Sequence, residues 1–363
     1  MDESLWYKIA LSLIPYIGDV RAKLLVSHCG SAEAVFKEKR SALAKIPGIG
    51  MHAKEIFDAA ILSRAEKELT FVRKNSIQVL FYTDREYPKR LLHCEDSPVL
   101  LYFKGNADLN KQKVISIVGT RAATDYGKQL CEKLVADLAI HDPLIVSGLA
   151  YGIDTCAHRS ALNNKLATVC GLGHGLDKIY PSLNREMANE MLLNGGWLTD
   201  FTTGTRPDRE NFPRRNRIVA GMADATIVVE SKLGGGSLIT ADIANSYNRD
   251  VFAFPGRIGD ECSEGCNAFI KQNRASLIQS ATDVVYIMGW EQKIKKNVQK
   301  QLFVELNAEE EQLVKILKEK DALAIDDLCL VSNMPMSKVS SLLLTLEFSG
   351  IVRSMPGKVY RLN

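Results

Sequence analysis

The chain has 363 residues, 46% of them apolar and 25% charged, and this length is sufficient for about two to four folded domains. The formal net charge of only +3 excludes binding to polyanions through bulk charge, so any such site has to be local. The sequence contains neither a signal-peptide pattern nor an apolar run of membrane-spanning length, which predicts a cytoplasmic protein with free thiols.

Two similar turns punctuate residues 1–72, which we predict to be a small all-helical module. The turns are Ile-Pro-Tyr-Ile-Gly at 14–18 and Ile-Pro-Gly-Ile-Gly at 46–50, each followed by an amphipathic helical segment. The pattern resembles helix-hairpin-helix motifs, in which a glycine turn lets backbone N–H groups approach a phosphate. A packing module that needs glycine at tight corners explains the turns equally well. Tyr16 makes the first turn the weaker match, because the second has Gly48 there.

Strands and helices alternate over residues 73–290, which we predict to be one extended domain. After broken strands within 77–103, the predicted strands are 114–118, 144–147, 168–170, 197–200, 226–230, 251–254 and 276–278. These strands have no polar face, as expected of strands buried on both sides. The pattern predicts an α/β fold with a Rossmann-like, doubly wound, mostly parallel sheet, which binds ligands at the carboxyl ends of its strands.

Glycine-rich segments stand at the predicted ends of these strands. They include Gly119, residues 148–152 and residues 171–175, and a further run at 234–236 precedes a helix. Glycine permits a close approach of backbone N–H groups to phosphate, and helix N-termini favour anions. The loops therefore predict an anion site at this edge of the sheet.

An arginine-rich stretch supplies the cations that such a site needs. Residues 206–217 hold five arginines against Asp208 and Glu210, and Pro213 opens a predicted helix. Arginine matches phosphate oxygens two at a time, so the stretch favours phosphate binding. A surface helix whose charges are solvated or paired within the molecule is the alternative.

The sequence contains no complete motif of the catalytic or nucleotide-binding sites considered. The sequence has no Walker loop, and residues 171–175 do not form the six-residue dinucleotide fingerprint. Possible nucleophilic and acid–base groups lie near the loops without a nucleophile elbow around them: Ser147, Asp154, Cys156, His158 and His174. Cys262 and Cys266 have zinc-like spacing but no second pair and no nearby histidine, so we interpret them as structural.

The C-terminal residues 308–363 return to helices after a polar linker at 291–307. Three short helices followed by a hairpin predict a winged helix. Its third helix, predicted at 336–348, offers Lys338 as its only cation. Because duplex binding through phosphates needs more basic residues than this, contact with another protein or support of a dimer is at least as well favoured.

Ordered motifs in the central region together resemble the DNA-processing protein A family (DprA, also called Smf). They are Val-Gly-Thr-Arg at 118–121, Ser-Gly-Leu-Ala-Tyr-Gly-Ile-Asp at 147–154, Gly-x-Gly-Leu-Asp-x-x-Tyr-Pro-x-x-Asn at 173–184, Phe-Pro-x-Arg-Asn-Arg-Ile at 212–218, Gly-Ser-Leu-Ile-Thr at 236–240 and Gly-Cys-Asn at 265–267. The resemblance implies a homodimer without cofactor, metal or turnover reaction. Such a protein binds single-stranded DNA during natural transformation, protects it and helps to load the RecA recombinase.

The resemblance also implies roles for particular residues. Arg121 and Arg209 are expected to contact phosphates and Phe212 to stack on a base, a combination suited to binding any single strand. The other expected DNA-binding residues are Gly119, Thr120, Gly148, Arg214, Asn216, Arg217, Lys232 and Ser237. The dimer interface is expected at Asn267, Phe269 and Ile270. For Asn216 and Arg217, hydrogen bonds that hold the loops together remain an alternative to DNA contact. For Phe269 and Ile270, packing in the core remains an alternative to a dimer interface.

Two other functions remain as alternatives. The first is a nucleotide-processing hydrolase similar to phosphoribohydrolases, whose pattern is Pro-Gly-Gly-x-Gly-Thr followed by a glutamate. The run from Gly234 to Ser237 has no proline before it and no glutamate in the next ten residues, which disfavours this alternative. The second is an adaptor that recruits a partner through the winged helix.

Overall fold

The computed structural model describes residues 3–290, 306–355 and 358–362. The chain divides into two compact units, Met1–Glu291 and Gln292–Asn363. Residues 291–305, which hold most of the predicted linker, lie outside the described residues, as do residues 356 and 357 of the predicted hairpin turn. In the part of the chain that is described, every helix is too short or too polar to cross a bilayer.

Short helices form the start of the first unit. They are α1 (Glu3–Ser12), α2 (Asp19–Cys29), α3 (Ala32–Lys37), α4 (Arg40–Leu43) and α5 (Ala59–Lys74), with a 3₁₀ helix at Gly50–Phe57. The 3₁₀ helix occupies the amphipathic segment that follows the second predicted turn. Apolar residues of these helices, such as Ile9 and Leu69, share one buried cluster with Tyr102 and Trp197 of the sheet. The helices therefore pack directly against the sheet.

A sheet of nine strands, counted within the described residues, forms the centre of the first unit. The strands are β1 (Gln78–Phe81), β2 (Leu100–Gly105), β3 (Val114–Val118), β4 (Leu144–Ser147), β5 (Thr168–Gly171), β6 (Gly195–Thr199), β7 (Ala225–Val228), β8 (Asp250–Ala253) and β9 (Ser276–Leu277). Their spatial order is β1-β2-β6-β5-β4-β3-β7-β8-β9. The pairs β1–β2 and β2–β6 are antiparallel, and the other pairs are parallel.

Helices cover both faces of this sheet. They are α6 (Lys89–Leu92), α7 (Asp125–Leu138), α8 (Ile153–Asn163), α9 (Arg185–Met191), α10 (Asn211–Gly221), α11 (Gly236–Ser246), α12 (Glu264–Lys271) and α13 (Ala281–Ile287). Because side chains alternate along a strand, Val118 packs with α10 and α11 on one face, while Ile117 packs with α7 and α8 on the other. The prediction of a Rossmann-like, mostly parallel sheet is confirmed.

The second unit is a winged helix, also as predicted. Its elements are α14 (Ala308–Lys320), β10 (Ala322–Ala324), α15 (Ile325–Ser332), α16 (Met336–Phe348), β11 (Val352–Met355) and β12 (Val359–Leu362). The strands form a sheet in the order β10-β12-β11. The sequence analysis missed β10, because three residues between two helices are too few to show a strand period. Lys338, the cation of α16, is paired with Glu309.

Candidate functional site

A groove of about 670 Å³ opens at the carboxyl ends of the central strands. The chain winds outward from β3 through β4 and β5 to β6 on one side and from β7 through β8 to β9 on the other. The loops after β3 and β7 consequently diverge and leave a crevice between them, which is where a doubly wound sheet binds its ligand. Residues of both loops, including Thr120 and Ser231, line the groove.

The loop after β3 is held in place by Glu230, which follows β7. The Thr120 N–H donates to the Glu230 carbonyl at 2.8 Å, and the Thr124 N–H donates to the Glu230 carboxylate at 2.9 Å. A Cβ on Gly119 would lie 2.5 Å from Ile153, so only glycine fits this close approach. The loop presents the exposed Arg121 at the rim of the groove, with its guanidinium 5.6 Å from the centre of the Phe212 ring.

The wall beneath this rim contains a buried arginine and a buried carboxylate that both pack against Gly148. A Cβ on Gly148 would lie 2.3 Å from both Arg215 Nη1 and Asp154 Oδ2. Arg215 is only 5% exposed, and its Nη1 donates to the Gly171 carbonyl at 2.8 Å. Burial raises the pKa of the Asp154 carboxyl, and the charge of Arg215 opposes this rise. The two charges compensate one another in the wall, so Asp154 contributes little net repulsion to an anion in the groove.

Arg215 was not among the predicted site residues, although the sequence contains a signal for it. It stands three and four residues before Ile218 and Val219, which are buried on the inner face of α10. Residues at this spacing share a helix face, so the periodicity places Arg215 on the apolar side. An arginine on that side needs a polar partner in the interior, and the carbonyl of Gly171 provides it.

Two helices begin at the groove. Neither α10 nor α11 has a side-chain cap at its N-terminus, and both helices contribute first-turn residues, such as Phe212 and Ser237, to the lining. Uncapped N–H groups and the positive end of the helix dipole favour an anion at each of these positions. The Ser237 hydroxyl donates to Ser231 Oγ at 2.8 Å and so fixes the glycine run that precedes α11.

Among the described residues, Lys232 is the only cation of the groove lining that forms an ion pair with a neighbouring loop. Its Nζ lies 2.5 Å from Glu261 Oε1, and the side chains of Lys232 and Glu261 are 42% and 70% exposed. The hydrogen bond to Glu261 raises the pKa of Lys232. Because exposed ion pairs are weak, Lys232 can exchange this carboxylate for another anion.

Most of the predicted DNA-binding residues come together in this groove. Its lining includes Gly119, Thr120, Arg121, Gly148, Arg209, Phe212, Asn216, Lys232 and Ser237. The remaining two, Arg214 and Arg217, line a different cavity beside α2. The sequence segments that carry these residues are far apart, so their meeting in one groove is a property of the fold.

Arg217 forms a buried ion-pair cluster outside the groove. Its Nη2 lies 2.9 Å from Asp19 of α2 and 2.6 Å from Asp200, which follows β6. Burial by itself would lower the pKa of Arg217, but the two carboxylates outweigh it and raise the pKa above its ordinary value. Arg214, which is half exposed, lies 3.6 Å from Asp200 and 5.1 Å from the centre of the Phe201 ring. These contacts match the structural role that the sequence analysis left open for Arg217.

A smaller cavity of about 50 Å³ adjoins the groove and has an aromatic mouth. Tyr151, Tyr180 and Phe212 surround it, and the centres of the Tyr180 and Phe212 rings are 6.2 Å apart. Leu149 and Leu172 line it further in, and both are buried. Flat rings beside an apolar floor suit a planar, weakly polar group such as a nucleobase.

The possible nucleophilic and acid–base groups are engaged in structural contacts instead. The Ser147 hydroxyl donates to the Ile117 carbonyl, and His158 Nδ1 lies 2.7 Å from Thr168 Oγ1. Burial lowers the pKa of His158 to about 3, so the ring is neutral at pH 7. Burial also lowers the pKa of His174. Ser147 also interacts with the Asp154 carboxyl, whose pKa this hydrogen bond lowers against the effect of burial.

The segment expected at a dimer interface lies in α12. The Asn267 amide exchanges two hydrogen bonds with the backbone of Gly256, at 3.0 and 3.1 Å, and so holds the preceding loop. Phe269 is 4% exposed and belongs to the same buried cluster as α10 and α11. Ile270 is half-buried at the edge of that cluster. Core packing, the alternative left open above, accounts for the burial of Phe269.

Comparison with protein families finds a match within each of the two units. Residues 78–289 match the family model described as DNA recombination-mediator protein A, and residues 301–358 match the DprA winged helix domain. Protein Smf of Synechocystis is 34% identical over 98% of this chain and 98% of its own length. The DNA processing protein DprA of Streptococcus pneumoniae is 42% identical over 55% of this chain and 70% of its own length.

Two solved structures are similar to the chain. The crystal structure of DprA from Streptococcus pneumoniae superposes with a TM-score of 0.65 at 33% identity and covers 77% of this chain and 97% of that one. A structure of DNA processing protein A from Helicobacter pylori, described by its single-stranded DNA binding mode, has a TM-score of 0.54 at 29% identity. It covers 59% of this chain and 96% of that one.

Proposed function

Because the chain belongs to the DNA recombination-mediator protein A family, we propose that its groove binds single-stranded DNA irrespective of base sequence. The observation that carries this proposal is the convergence of two uncapped helix N-termini and three cations around one half-exposed aromatic ring. The cations are Arg121, Arg209 and Lys232, and the ring belongs to Phe212. A similar protein from Helicobacter pylori is described as binding single-stranded DNA, which supports the same ligand here.

The polar part of the site fits the phosphate backbone. Backbone N–H groups and arginine forks are ligands for phosphate oxygens, and they do not distinguish one base from another. The buried carboxylate of Asp154 is offset by Arg215, so Asp154 itself repels the phosphates of a strand only weakly. The site therefore suits a protein that has to hold DNA of any sequence.

The aromatic part of the site favours a single strand over a duplex. In a duplex the bases are stacked on one another, whereas a single strand can place a base on the exposed faces of Phe212, Tyr180 and Tyr151. Stacking of this kind contributes about 1–3 kcal/mol for each base and accepts every base, because each has a π face.

The proposal includes the wider role that the sequence resemblance implies. In it the protein acts without turnover, in the cytoplasm, on DNA taken up in natural transformation, and passes the strand to RecA. RecA loading has a direct assay: the protein should shorten the lag of RecA filament formation on a strand coated with single-strand-binding protein. An unchanged lag would remove RecA from the proposal and leave strand binding intact.

A homodimer through the α12 segment is also part of the proposal. Ile270 is half-buried at the surface of α12, so a second chain can contact it, whereas Phe269 is too deeply buried for more than a supporting role. A charge at the centre of an apolar interface is strongly unfavourable. Ile270→Glu should therefore sediment as a monomer, and a dimer that survives this change would place the interface elsewhere.

The test of strand binding compares poly-dT with a matching duplex over a series of salt concentrations. We expect wild type to prefer the single strand, and Phe212→Ala to weaken that binding about 5- to 150-fold, as the loss of one stacked base predicts. The single variant Arg209→Ala should also weaken binding of the single strand, and it should lower the salt dependence of that binding. Lys133→Ala, which removes an exposed cation of α7 outside the groove lining, is the matched control and should bind as wild type does.

A wild-type protein that binds both DNAs equally, or neither, would contradict the proposal. In that case nucleoside monophosphates become the next ligands to titrate, because the glycine-rich groove also fits the hydrolase alternative. Retained binding in the Arg209→Ala/Phe212→Ala double variant would move the DNA site out of the groove.

A further inference from the structure

The two hairpin turns of the N-terminal helices lie side by side in the structure. Arg21 of α2 joins them: its Nη1 donates to the Tyr16 carbonyl at 2.8 Å, and its Nε is 3.7 Å from the position of a Cβ on Gly48. The Tyr16 ring stacks on the ring of His52, with centres 5.5 Å apart and planes at 25°. We call the surface formed by Tyr16, Arg21, Gly48 and His52 the hairpin surface.

The aromatic ring at the first turn is exposed although its backbone position suits glycine. Tyr16 has φ 65°, close to the φ of 79° at Gly48 in the second turn, so the two turns share a left-handed residue. An L residue is strained in this conformation. Tyr16 nevertheless keeps a side chain that is 72% exposed, and packing in the core does not account for it. An exposed ring of this kind is suited to contact with a ligand.

Arg21 supplies an exposed cation next to this ring. Among the described residues it makes a hydrogen bond to a carbonyl but no ion pair. Two carboxylates that line the same cavity as Arg21, those of Asp19 and Asp96, are already engaged. Asp19 accepts from the Val99 N–H at 2.8 Å and from Arg217 at 2.9 Å, while Asp96 accepts from the Tyr247 hydroxyl. The charge of Arg21 is thus available to an anion from solution.

The hairpin surface is connected to the groove through α10. A cavity of about 440 Å³ lies between the start of α2 and α10, and its lining includes Gly18, Arg21 and Arg214. Arg214 stands on the same helix as Phe212 and Asn216, which line the groove. Helix α10 therefore lines both the groove and the cavity that contains Arg21.

We propose that the hairpin surface is a second contact site for the single strand that leaves the groove. Arg214 and Arg21 contact its phosphates, and the Tyr16 ring, backed by His52, stacks on one of its bases. This inference depends on the proposed function, since the strand reaches the hairpin surface while it is bound in the groove. Two linked contacts on one strand raise affinity by effective concentration, so the hairpin surface adds affinity only when the strand is long enough to reach both.

Oligonucleotides of two lengths distinguish binding in the groove from binding at the hairpin surface. An oligo-dT of about 6 nucleotides, near the lower end of known site sizes, fills the groove, and one of about 24 nucleotides reaches the hairpin surface. Tyr16→Gly removes the ring and keeps a residue suited to the left-handed backbone. Arg21→Ala removes the cation. We expect each variant of the full chain to bind the long strand at least about 5-fold more weakly and the short strand as wild type does. Lys67→Ala, an exposed cation of α5, is the control for loss of charge.

The outcomes distinguish this inference from the proposed function. Wild-type affinity of both variants for the long strand would overturn it, as would an equal loss for short and long strands. A loss confined to duplex DNA would overturn the assignment to a single strand. If wild type fails to bind the short strand at all, the proposed function of the groove fails first, and this inference fails with it.

Discussion

Arg217 offers the sharpest test of how the arginine-rich helix is used. Arg217→Met removes the charge from a cluster in which the side chains of Arg217 and Asp200 are 11% and 3% exposed. Removing one partner of a buried ion pair leaves the other charge without compensation, which costs about 3–5 kcal/mol. We therefore expect a loss of that size in the free energy of unfolding at pH 7. The affinity of the folded variant for a short strand should not change, because Arg217 lies outside the groove.

The loss should depend on pH, and its sign follows from Asp200. Burial raises the pKa of the Asp200 carboxyl, and Arg217 opposes this rise. Without Arg217 the pKa in the folded protein increases further above its value in the unfolded chain, about 3.9. A carboxyl that binds protons more readily in the folded state stabilises that state as the pH falls. The destabilisation of Arg217→Met should consequently be largest near neutral pH and should shrink toward about pH 4, by about 1.4 kcal/mol for each unit of pKa difference.

Urea unfolding at several pH values measures this effect. Arg214→Ala is the matched control, because Arg214 stands on the same helix near the same carboxylate but is half exposed, and it should cost no more than about 1 kcal/mol. Replacing both partners, in Arg217→Met/Asp200→Asn, should recover much of the loss. A loss below about 1 kcal/mol, or one that is the same at every pH, would refute the buried-pair argument. A loss of short-strand binding in folded Arg217→Met would restore Arg217 to the DNA site.

Three further predictions concern the groove itself. Arg121→Ala should weaken binding equally for all base sequences and reduce the slope of log affinity against log salt by about 0.7, the value for one single-strand phosphate contact; a loss that depends on sequence would contradict this role. Glu261→Gln should strengthen strand binding a few-fold at low salt, because it removes the carboxylate that competes for Lys232; titration in fluorescence anisotropy measures it, and weaker binding would rule out the competition. Gly148→Ala should weaken strand binding in a protein that still folds, since its Cβ would lie 2.3 Å from Arg215 Nη1 and Asp154 Oδ2 and force both side chains to shift; wild-type affinity would show that the shift does not reach the groove.

The sheet could be predicted from the sequence because its signals are local. A strand buried on both faces is apolar along its whole length, and the helices between such strands are amphipathic, so the doubly wound order follows from short stretches of chain. The same rule places the ligand at the carboxyl ends of the strands, where Gly119 and Gly148 stand. Element ends were predicted less well. For example, β6 begins at Gly195, and two glycines give no strand signal ahead of Trp197.

Contacts between distant segments could not be predicted, because no local pattern encodes them. Asp19 and Arg217 are far apart in the chain, and neither shows in the sequence that the other is its partner. The same holds for Tyr16 and His52, whose stacking joins two turns that were identified separately. In both cases the sequence indicates the residue type, and only the packing of distant segments against one another decides which groups meet.

The arginines of the 206–217 stretch show why the number of charged residues in a sequence overstates the charge that is available to a ligand. Residues three apart on an α-helix share a face, whereas adjacent residues are rotated by about 100°, so Arg214 and Arg217 both lie toward the cavity beside α2 while Arg215 points into the wall of the groove. Arg215 is neutralised within the wall and Arg217 within the ion-pair cluster, while Arg209, just before the helix, remains at the rim. The salt dependence of strand binding should accordingly reflect the few rim cations of the groove, and a slope that required all five arginines would contradict this division of roles.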